Sequence, residues 1–402
     1  MAGGSLGNAK KAKNDEFYTV YDYIQKEMNA YLEYNPDVFK DKVVLLPCDD
    51  PEWSNFTKYF AQNFETLGLK KLISTSYAID CKRNQYEKYH QISLFELNSP
   101  LYDPQISNAR GKIFTLSRSR RKKKTVDIDD LEWEYLRGDG DFRSDEVKAL
   151  RNEADIIVTN PPFSLFREFV AWAMEANKSL VVIGNQNAIT YKEIFPLLKS
   201  NRIWIGATNN GQDMVFEVPE GADIAPKDRE KAAKLGYIGN YTRLGNACWF
   251  TNIDHGRRHQ PLALMTMADN LKFSRHRQIR ENGYLPYDNY EAIEVPCIDA
   301  IPEDFDGIMG VPITFLAKHC PEQFEIVGLV NGKDDLVDIK TTKEYKHYKE
   351  VRQTGEFTGA NGGKIYGNPV IKGKPTKGNY FVCDGDCVYS TYARIFIKRR
   401  KP

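Results

Sequence analysis

The chain alternates short apolar runs with stretches of helical spacing. Lys42–Leu46, Leu72–Ser76, Ala154–Thr159 and Leu180–Gly184 are too short for helices, and their adjacent apolar residues predict buried strands. Asp15–Leu32, Trp53–Leu67, Ser164–Ala176 and Tyr191–Lys199 set apolar residues three and four apart, which predicts helices. Asn35-Pro36 breaks the first of these, and Gly68 offers the second a C-terminal cap. Apolar strands alternating with helices predict an α/β domain over residues 14–254, built on a mostly parallel sheet with helices on both faces.

Past Asp254 the texture changes. Gly, Pro, Tyr and charged residues dominate, and short strands are predicted at Phe324–Val330 and Tyr392–Ile397. Residues 255–402 therefore read as an α+β region with long loops. Lys82–Tyr102 is polar and irregular, an insertion or an extended edge. Residues 1–13 are small, polar and basic, and read as a disordered leader with no apolar stretch for a secretory signal.

Composition narrows the class. With 402 residues, 41% of them hydrophobic, the chain can bury a sizeable core in one large or two moderate domains. No apolar run is long enough to span a bilayer. The seven cysteines are widely scattered and form no disulfide framework, which points to a reducing cytoplasm. Cys383 and Cys387 lie closest together, yet no second pair or nearby His completes a zinc set, so they read as free thiols and no metal site is expected. The formal net charge of +1 does not exclude nucleic acid, because a near-neutral total can hide a strongly dipolar surface.

The densest chemical signal is Asn160-Pro161-Pro162-Phe163, set directly between the strand Asp155–Thr159 and a helix. In an open parallel sheet, ligands bind just past the carboxyl ends of strands. The prolines have no N–H and leave carbonyl oxygens to accept hydrogen bonds. An exocyclic amine has two donor hydrogens, which the Asn160 side-chain oxygen and the Pro161 carbonyl can both take. That draws the nitrogen lone pair out of the ring and aims it at an electrophile, while Phe163 offers a face for an extruded base. Taken alone, Pro-Pro after a strand is a rigid turn; the full tetrapeptide in this strand–loop–helix setting points to amine methylation.

With this motif the chain resembles the EcoRI family of DNA adenine methyltransferases. The likeness extends to Asp15-Glu16-Phe17-Tyr18-Thr19, Cys48-Asp49-Asp50-Pro51 with Ser54-Asn55-Phe56, and Gly138-Asp139-Gly140-Asp141-Phe142. It continues through Asn246-Ala247-Cys248-Trp249-Phe250-Thr251-Asn252 and Met309-Gly310-Val311-Pro312-Ile313-Thr314-Phe315. The resemblance implies a Rossmann-like methyltransferase sheet, a target-recognition region in residues 255–402, and S-adenosyl-L-methionine as cofactor. It implies methyl transfer to the N6 amine of an adenine rotated out of double-stranded DNA, by a cytoplasmic monomer or weak dimer paired in function with a restriction endonuclease.

Residue by residue, the resemblance implies that Phe17, Tyr18 and Thr19 clasp the cofactor, and that Cys48, Asp49 and Asp50 line it at the end of the first strand. A carboxylate there suits the cofactor's amino group or ribose hydroxyls, although paired aspartates also suit a solvated turn. The usual glycine-rich turn is missing, and Ser74-Thr75-Ser76 stands where many relatives carry a ribose-binding acid. Asp141 and Phe142 fit a third cofactor contact, with Asp139 as alternative and a plain surface turn as competitor. Trp249 or Phe250 is expected to form the second wall of the base pocket. Pro47-Cys48 matches the nucleophile dipeptide of cytosine C5-methyltransferases, but at the cofactor strand it reads as a wall residue.

Basic runs suit DNA phosphates, the first being Arg118, Arg120, Arg121, Lys122, Lys123 and Lys124; Arg257-Arg258 with Arg275, Arg277 and Arg280, and Lys398–Lys401, follow. Any one run can equally be a solvated face. Two other readings stay open: methylation of RNA or of a protein amide, and a non-catalytic DNA-binding relative.

Overall fold

The computed structural model describes residues 17–49, 54–78, 99, 101–118, 131–208, 214–218, 224–330, 339–345, 347–361 and 367–400. The expected leader, nearly all of Lys82–Tyr102, Asp50, and the basic residues Arg120, Arg121, Lys122, Lys123 and Lys124 lie outside the described residues.

The first of two compact units runs up to Ala188 and resumes at Ile203–Gly256. It begins with β1 (Tyr18–Thr19), α1 (Tyr21–Tyr34), β2 (Val43–Leu46), α2 (Asn55–Gln62), β3 (Lys71–Ser76) and α3 (Pro104–Ala109). There follow β4 (Lys112–Ser117), β5 (Glu132–Tyr135), α4 (Asp145–Glu153), β6 (Ile156–Thr159), α5 (Phe166–Glu175) and β7 (Ser179–Asn185). After α6 (Phe195–Lys199), which belongs to the second unit, come β8 (Trp204–Ile205), β9 (Met214–Glu217), α7 (Pro226–Lys234), β10 (Tyr241–Leu244) and β11 (Ala247–Thr251).

Local chemistry sets these boundaries. Ser54 caps α2 by accepting from Phe56 N–H, and Ser144 caps α4 by accepting from Val147 N–H. Asp103 caps α3, with Pro104 in the first turn where no N–H is needed. The turns after α2 end at Gly68, whose φ of 64° lies in the left-handed region.

The main sheet has the order β5-β4-β3-β2-β6-β7-β11-β8. Its centre, β3-β2-β6-β7, is parallel. The expectation of a mostly parallel sheet holds for this centre only: β4 and β5 on one side, β11 and β8 on the other, are added through antiparallel pairings. β5 (Glu-Trp-Glu-Tyr) alternates exposed with half-buried positions, as an edge strand does, whereas every residue of β2 is buried. Val44 and Leu46 of β2 pack in one core with Met28, Tyr31, Phe60, Phe64, Val158 and Ile183. Each such side chain contributes roughly 1.5–3 kcal/mol when fully buried.

The chain leaves β2 for β3 on one side, and β6 returns on the other. Strand order reverses there, so a crevice forms past the carboxyl ends of β2 and β6. A small sheet, β1-β9-β10, holds the N-terminal segment through Tyr18↔Glu217 and Thr19↔Phe216. This pairing is why the helix expected from Asp15 begins only at Tyr21. Within α1, the fully buried Glu27 carboxylate accepts from Tyr31 Oη at 2.5 Å and from the N–H groups of Ala207 and Thr208, each at 2.8 Å.

The second unit comprises Ile189–Arg202 and Arg257–Pro402. It holds α6, α8 (Met267–Phe273), α9 (Arg277–Asn282), β12 (Ala292–Glu294), β13 (Ile308–Pro312), β14 (Phe324–Val330) and β15 (Tyr348–Val351). β16 (Phe357–Asn361), β17 (Val370–Lys372), β18 (Tyr380–Cys383), β19 (Asp386–Ser390) and β20 (Arg394–Arg399) complete it. Its sheets are ordered β12-β13-β20-β14 and β16-β15-β18-β19-β17. β14 has the bounds that the sequence pattern predicts, and the strand expected at Tyr392–Ile397 forms slightly later as β20. Cys383 and Cys387 carry free thiols; the register Val382↔Cys387 puts them on opposite faces of a hairpin. Among the described residues no helix is long and apolar enough to cross a membrane.

Candidate active site

β6 ends in the buried Thr159 and delivers Asn160 to the crevice at the strand-order reversal. The Asn160 side-chain amide is held from one side: its Nδ2 donates to the Phe17 carbonyl at 2.6 Å. Its Oδ1 is buried and has no partner among the described residues. The Pro162 carbonyl closes the next turn by accepting from Leu165 N–H at 2.9 Å, which separates its work from that of Pro161. Phe163 opens a short 3-10 turn leading into α5, and its half-buried ring stacks on Phe17 with centroids 5.9 Å apart.

Across the reversal, the loop Pro47-Cys48-Asp49 after β2 is braced by hydroxyls. Thr75 Oγ1 donates to the Pro47 carbonyl at 3.0 Å, and the Ser74 hydroxyl donates to the Asp49 carbonyl. Ser54 Oγ donates to Asp49 Oδ1 at 2.7 Å while also capping α2. Side-chain hydroxyls thus hold a turn that a glycine-rich loop would shape by backbone freedom. Burial, reinforced by the charges of Asp49 and Asp141, pushes the Cys48 thiol far above its ordinary range, so it stays neutral. The hydroxyls of Thr159 and Tyr77 lie beside this sulfur.

The turn after β5 reaches the same place from the β3 side. Gly140, at φ 87°, packs backbone to backbone: a Cβ there would meet the Ser76 carbonyl oxygen at 2.3 Å. Asp141 is clamped by Arg143, with Nε to Oδ1 at 2.9 Å, Nη2 to Oδ2 at 2.6 Å and the backbone N–H to Oδ1 at 2.8 Å. The Arg143 guanidinium holds the Asp141 carboxyl below the usual range. Asp139 Oδ1 accepts from Asp141 N–H at 3.0 Å, so it too shapes the turn.

Several expected site residues fall elsewhere. The Phe142 ring is fully buried, edge-on to Phe169 at 5.1 Å and Trp172 at 5.5 Å, so it packs under α5 and offers no open face for stacking. Trp249 and Phe250 are both fully buried on β11, against Phe56 at 6.0 Å and Phe166 at 5.0 Å respectively. Every residue of β11 is buried, so both its faces meet core; neither ring forms an open wall. Arg118 pairs with Asp41 at 2.6 Å and with the Gly68 carbonyl. It follows Ser117, which is opposite Lys71, the first residue of β3, and therefore lies at the end of the sheet away from Asn160.

Phe17, Tyr18 and Thr19 lie against the site. The Thr19 carbonyl accepts from Asn55 Nδ2 at 2.9 Å, and Phe17 meets both Asn160 and Phe163. Buried oxygens of Thr19 (Oγ1), Ser76 (Oγ) and Asn160 (Oδ1) have no partner among the described residues. Each such atom costs roughly 1–3 kcal/mol unless something satisfies it, so these three positions suit a polar ligand. Asn55, Tyr77 and Thr159 had no expected role. Asn55 stands inside Ser54-Asn55-Phe56, where only the tertiary contact to Thr19 reveals its use.

Comparison with known proteins identifies the family. A family model described as adenine-specific methyltransferase EcoRI matches residues 5–374. Type II methyltransferase M.EcoRI of Escherichia coli is 40% identical over 331 residues, covering 82% of this chain and 90% of that protein. Type II methyltransferase M.MpnI of Mycoplasma pneumoniae is 34% identical over 370 residues, covering 91% and 97%. Type II methyltransferase M.MgeORF184P of Mycoplasma genitalium is 32% identical over 368 residues, covering 91% and 98%. No solved structure matches the chain. A family match across nearly the whole chain, with relatives aligned along almost their full lengths, makes this protein a member of the EcoRI family of adenine-specific methyltransferases.

Proposed function

We propose that the chain transfers a methyl group from S-adenosyl-L-methionine to the N6 amine of an adenine rotated out of duplex DNA, as the modification enzyme of a type II restriction–modification system. The observation that carries this reading is the Asn160 amide, whose nitrogen is tied to Phe17 and whose buried oxygen is left to accept. The adenine amine donates one hydrogen to Asn160 Oδ1 and the other to the Pro161 carbonyl, which raises electron density on N6. Phe163 supports the base face. No general base is needed, because the amine proton leaves after the methyl arrives.

The unsatisfied Thr19 and Ser76 hydroxyls, with the braced carboxylate of Asp49, fit a cofactor rich in amino and hydroxyl donors and acceptors. Phe17, Tyr18, Cys48 and the Asp139–Asp141 turn would complete its walls. When bound, the cofactor supplies an electrophilic methyl on sulfonium. A Rossmann-like reading of the first unit rests on its parallel centre and strand-order reversal. The second unit then serves target recognition, and a monomer modifies one strand per encounter.

The test is nucleoside analysis by mass spectrometry after incubation with unmethylated duplex DNA and labelled cofactor. N6-methyladenine is the expected product; methyl on another base, or on RNA or a protein amide alone, would overturn the proposal. Asn160→Ala is expected to bind cofactor yet lose turnover.

A further inference from the structure

We infer that the main-chain carbonyl of Phe17 is a positioning group for methyl transfer: it fixes which end of the Asn160 amide faces the base, and so makes a hydrogen-bond donor at position 160 obligatory. The inference rests on the proposed role of Asn160 and deepens it.

An amide side chain is nearly symmetric in shape but not in chemistry. Unrestrained, it presents NH2 or oxygen to a ligand with little difference in packing. A base amine can be held only by the oxygen, because an NH2 facing it sets donor against donor. The Phe17 carbonyl oxygen, 2.6 Å from Nδ2, removes the wrong orientation: the flipped amide would set oxygen against oxygen at that distance. Asn160 Oδ1 is thereby left as the free acceptor, buried and without a partner among the described residues.

The Phe17 carbonyl is itself held. Tyr18 and Thr19 pair with β9, and Asn55 Nδ2 grips the Thr19 carbonyl at 2.9 Å. The segment Phe17–Thr19 therefore bridges the strand-order reversal, fastened to α2 beside the β2 loop at one end and to the β6 loop at the other. Stacking of Phe17 on Phe163 adds a second fastening to the β6 loop.

A carboxylate at position 160 has the right shape but only acceptor atoms, and one of them would face the Phe17 oxygen. A neutral carboxylic acid has one O–H donor for Phe17 and one C=O acceptor for the amine, and so reproduces the amide. The titratable groups around the loop are Cys48 and Asp49 from the β2 end, Tyr77 after β3, Asp141 with Arg143 on it from the turn after β5, and Glu217 of β9 opposite Tyr18. Carboxylates dominate this set, and they favour the neutral form of an introduced acid.

The experiment measures turnover of the native chain, Asn160→Asp and Asn160→Ala across the pH range in which the native chain stays folded, with cofactor affinity by calorimetry and circular dichroism as controls for fold. Asn160→Asp is expected to bind cofactor and to turn over at least about a hundredfold more slowly than native at pH ~8. Its rate relative to native should recover by up to about tenfold per unit fall in pH, as the neutral acid is populated. A folded Asn160→Asp that works at a native-like rate regardless of pH, or that stays inactive at every pH, would overturn the inference. Native-like turnover by Asn160→Ala would instead overturn the role of Asn160 itself.

Discussion

At the scale of single residues, chemistry at this site is decided by what each polar atom already holds. Cys48 is the clearest case. Its dipeptide with Pro47 has the form of a nucleophile, but burial and the neighbouring carboxylates of Asp49 and Asp141 disfavour the thiolate. A free cysteine is roughly a quarter thiolate at pH ~8; Cys48, with its titration pushed upward, should be essentially all thiol. Iodoacetamide is therefore expected to alkylate it far more slowly than a free cysteine at that pH, and Cys48→Ser to keep methyl transfer close to the native rate. A folded Cys48→Ser enzyme that binds cofactor with native affinity yet is dead would show that the sulfur takes part in the reaction. Asp141 illustrates the same logic in reverse: a carboxylate gripped by Arg143 through three hydrogen bonds is already engaged as a turn-builder.

At the scale of elements, short motifs work by joining pieces. Ser54 caps α2 and also donates to Asp49, so one hydroxyl couples helix start to candidate cofactor loop. Ser54→Ala is expected to cost about 1 kcal/mol in urea unfolding, the usual effect of losing a cap. It should also weaken cofactor binding roughly fivefold in calorimetry, the effect of one lost hydrogen bond on a ligand carboxylate. A change in stability with unaltered affinity would show that Asp49 does not touch the cofactor. Gly140 makes a similar join, since its missing Cβ lets the turn after β5 rest on the Ser76 carbonyl.

At the scale of the whole molecule, the chain enters the second unit early, at Ile189–Arg202, before returning to finish the first. α6 lies in that excursion and packs on β14, with Ile194, Phe195 and Leu198 buried. A chain truncated after Asp254 keeps α6 but loses β14, and so exposes these three side chains. It is expected to self-associate more strongly than the full chain in light scattering. A monodisperse truncated protein would show that α6 does not depend on the second unit.

The sequence by itself determined the elements whose signal is local. β2, β6, β7 and β14 follow from runs of apolar residues, and Asn160-Pro161-Pro162-Phe163 at the end of β6 follows from strand, proline and helix signals that lie side by side. The family, too, was legible in motifs spread along the chain. Tertiary structure decided whatever depends on partners far away in sequence. The carbonyl that orients Asn160 comes from Phe17, 143 residues earlier, and no local pattern marks a backbone oxygen. Whether an aromatic residue lines a pocket or fills the core is likewise set by what covers it: Phe163 stays half-buried, while Phe142, Trp249 and Phe250 are enclosed by neighbours that the one-dimensional pattern does not contain. Arg118 follows the same rule, because a cation's role depends on the carboxylate it meets, and folding brings it to Asp41.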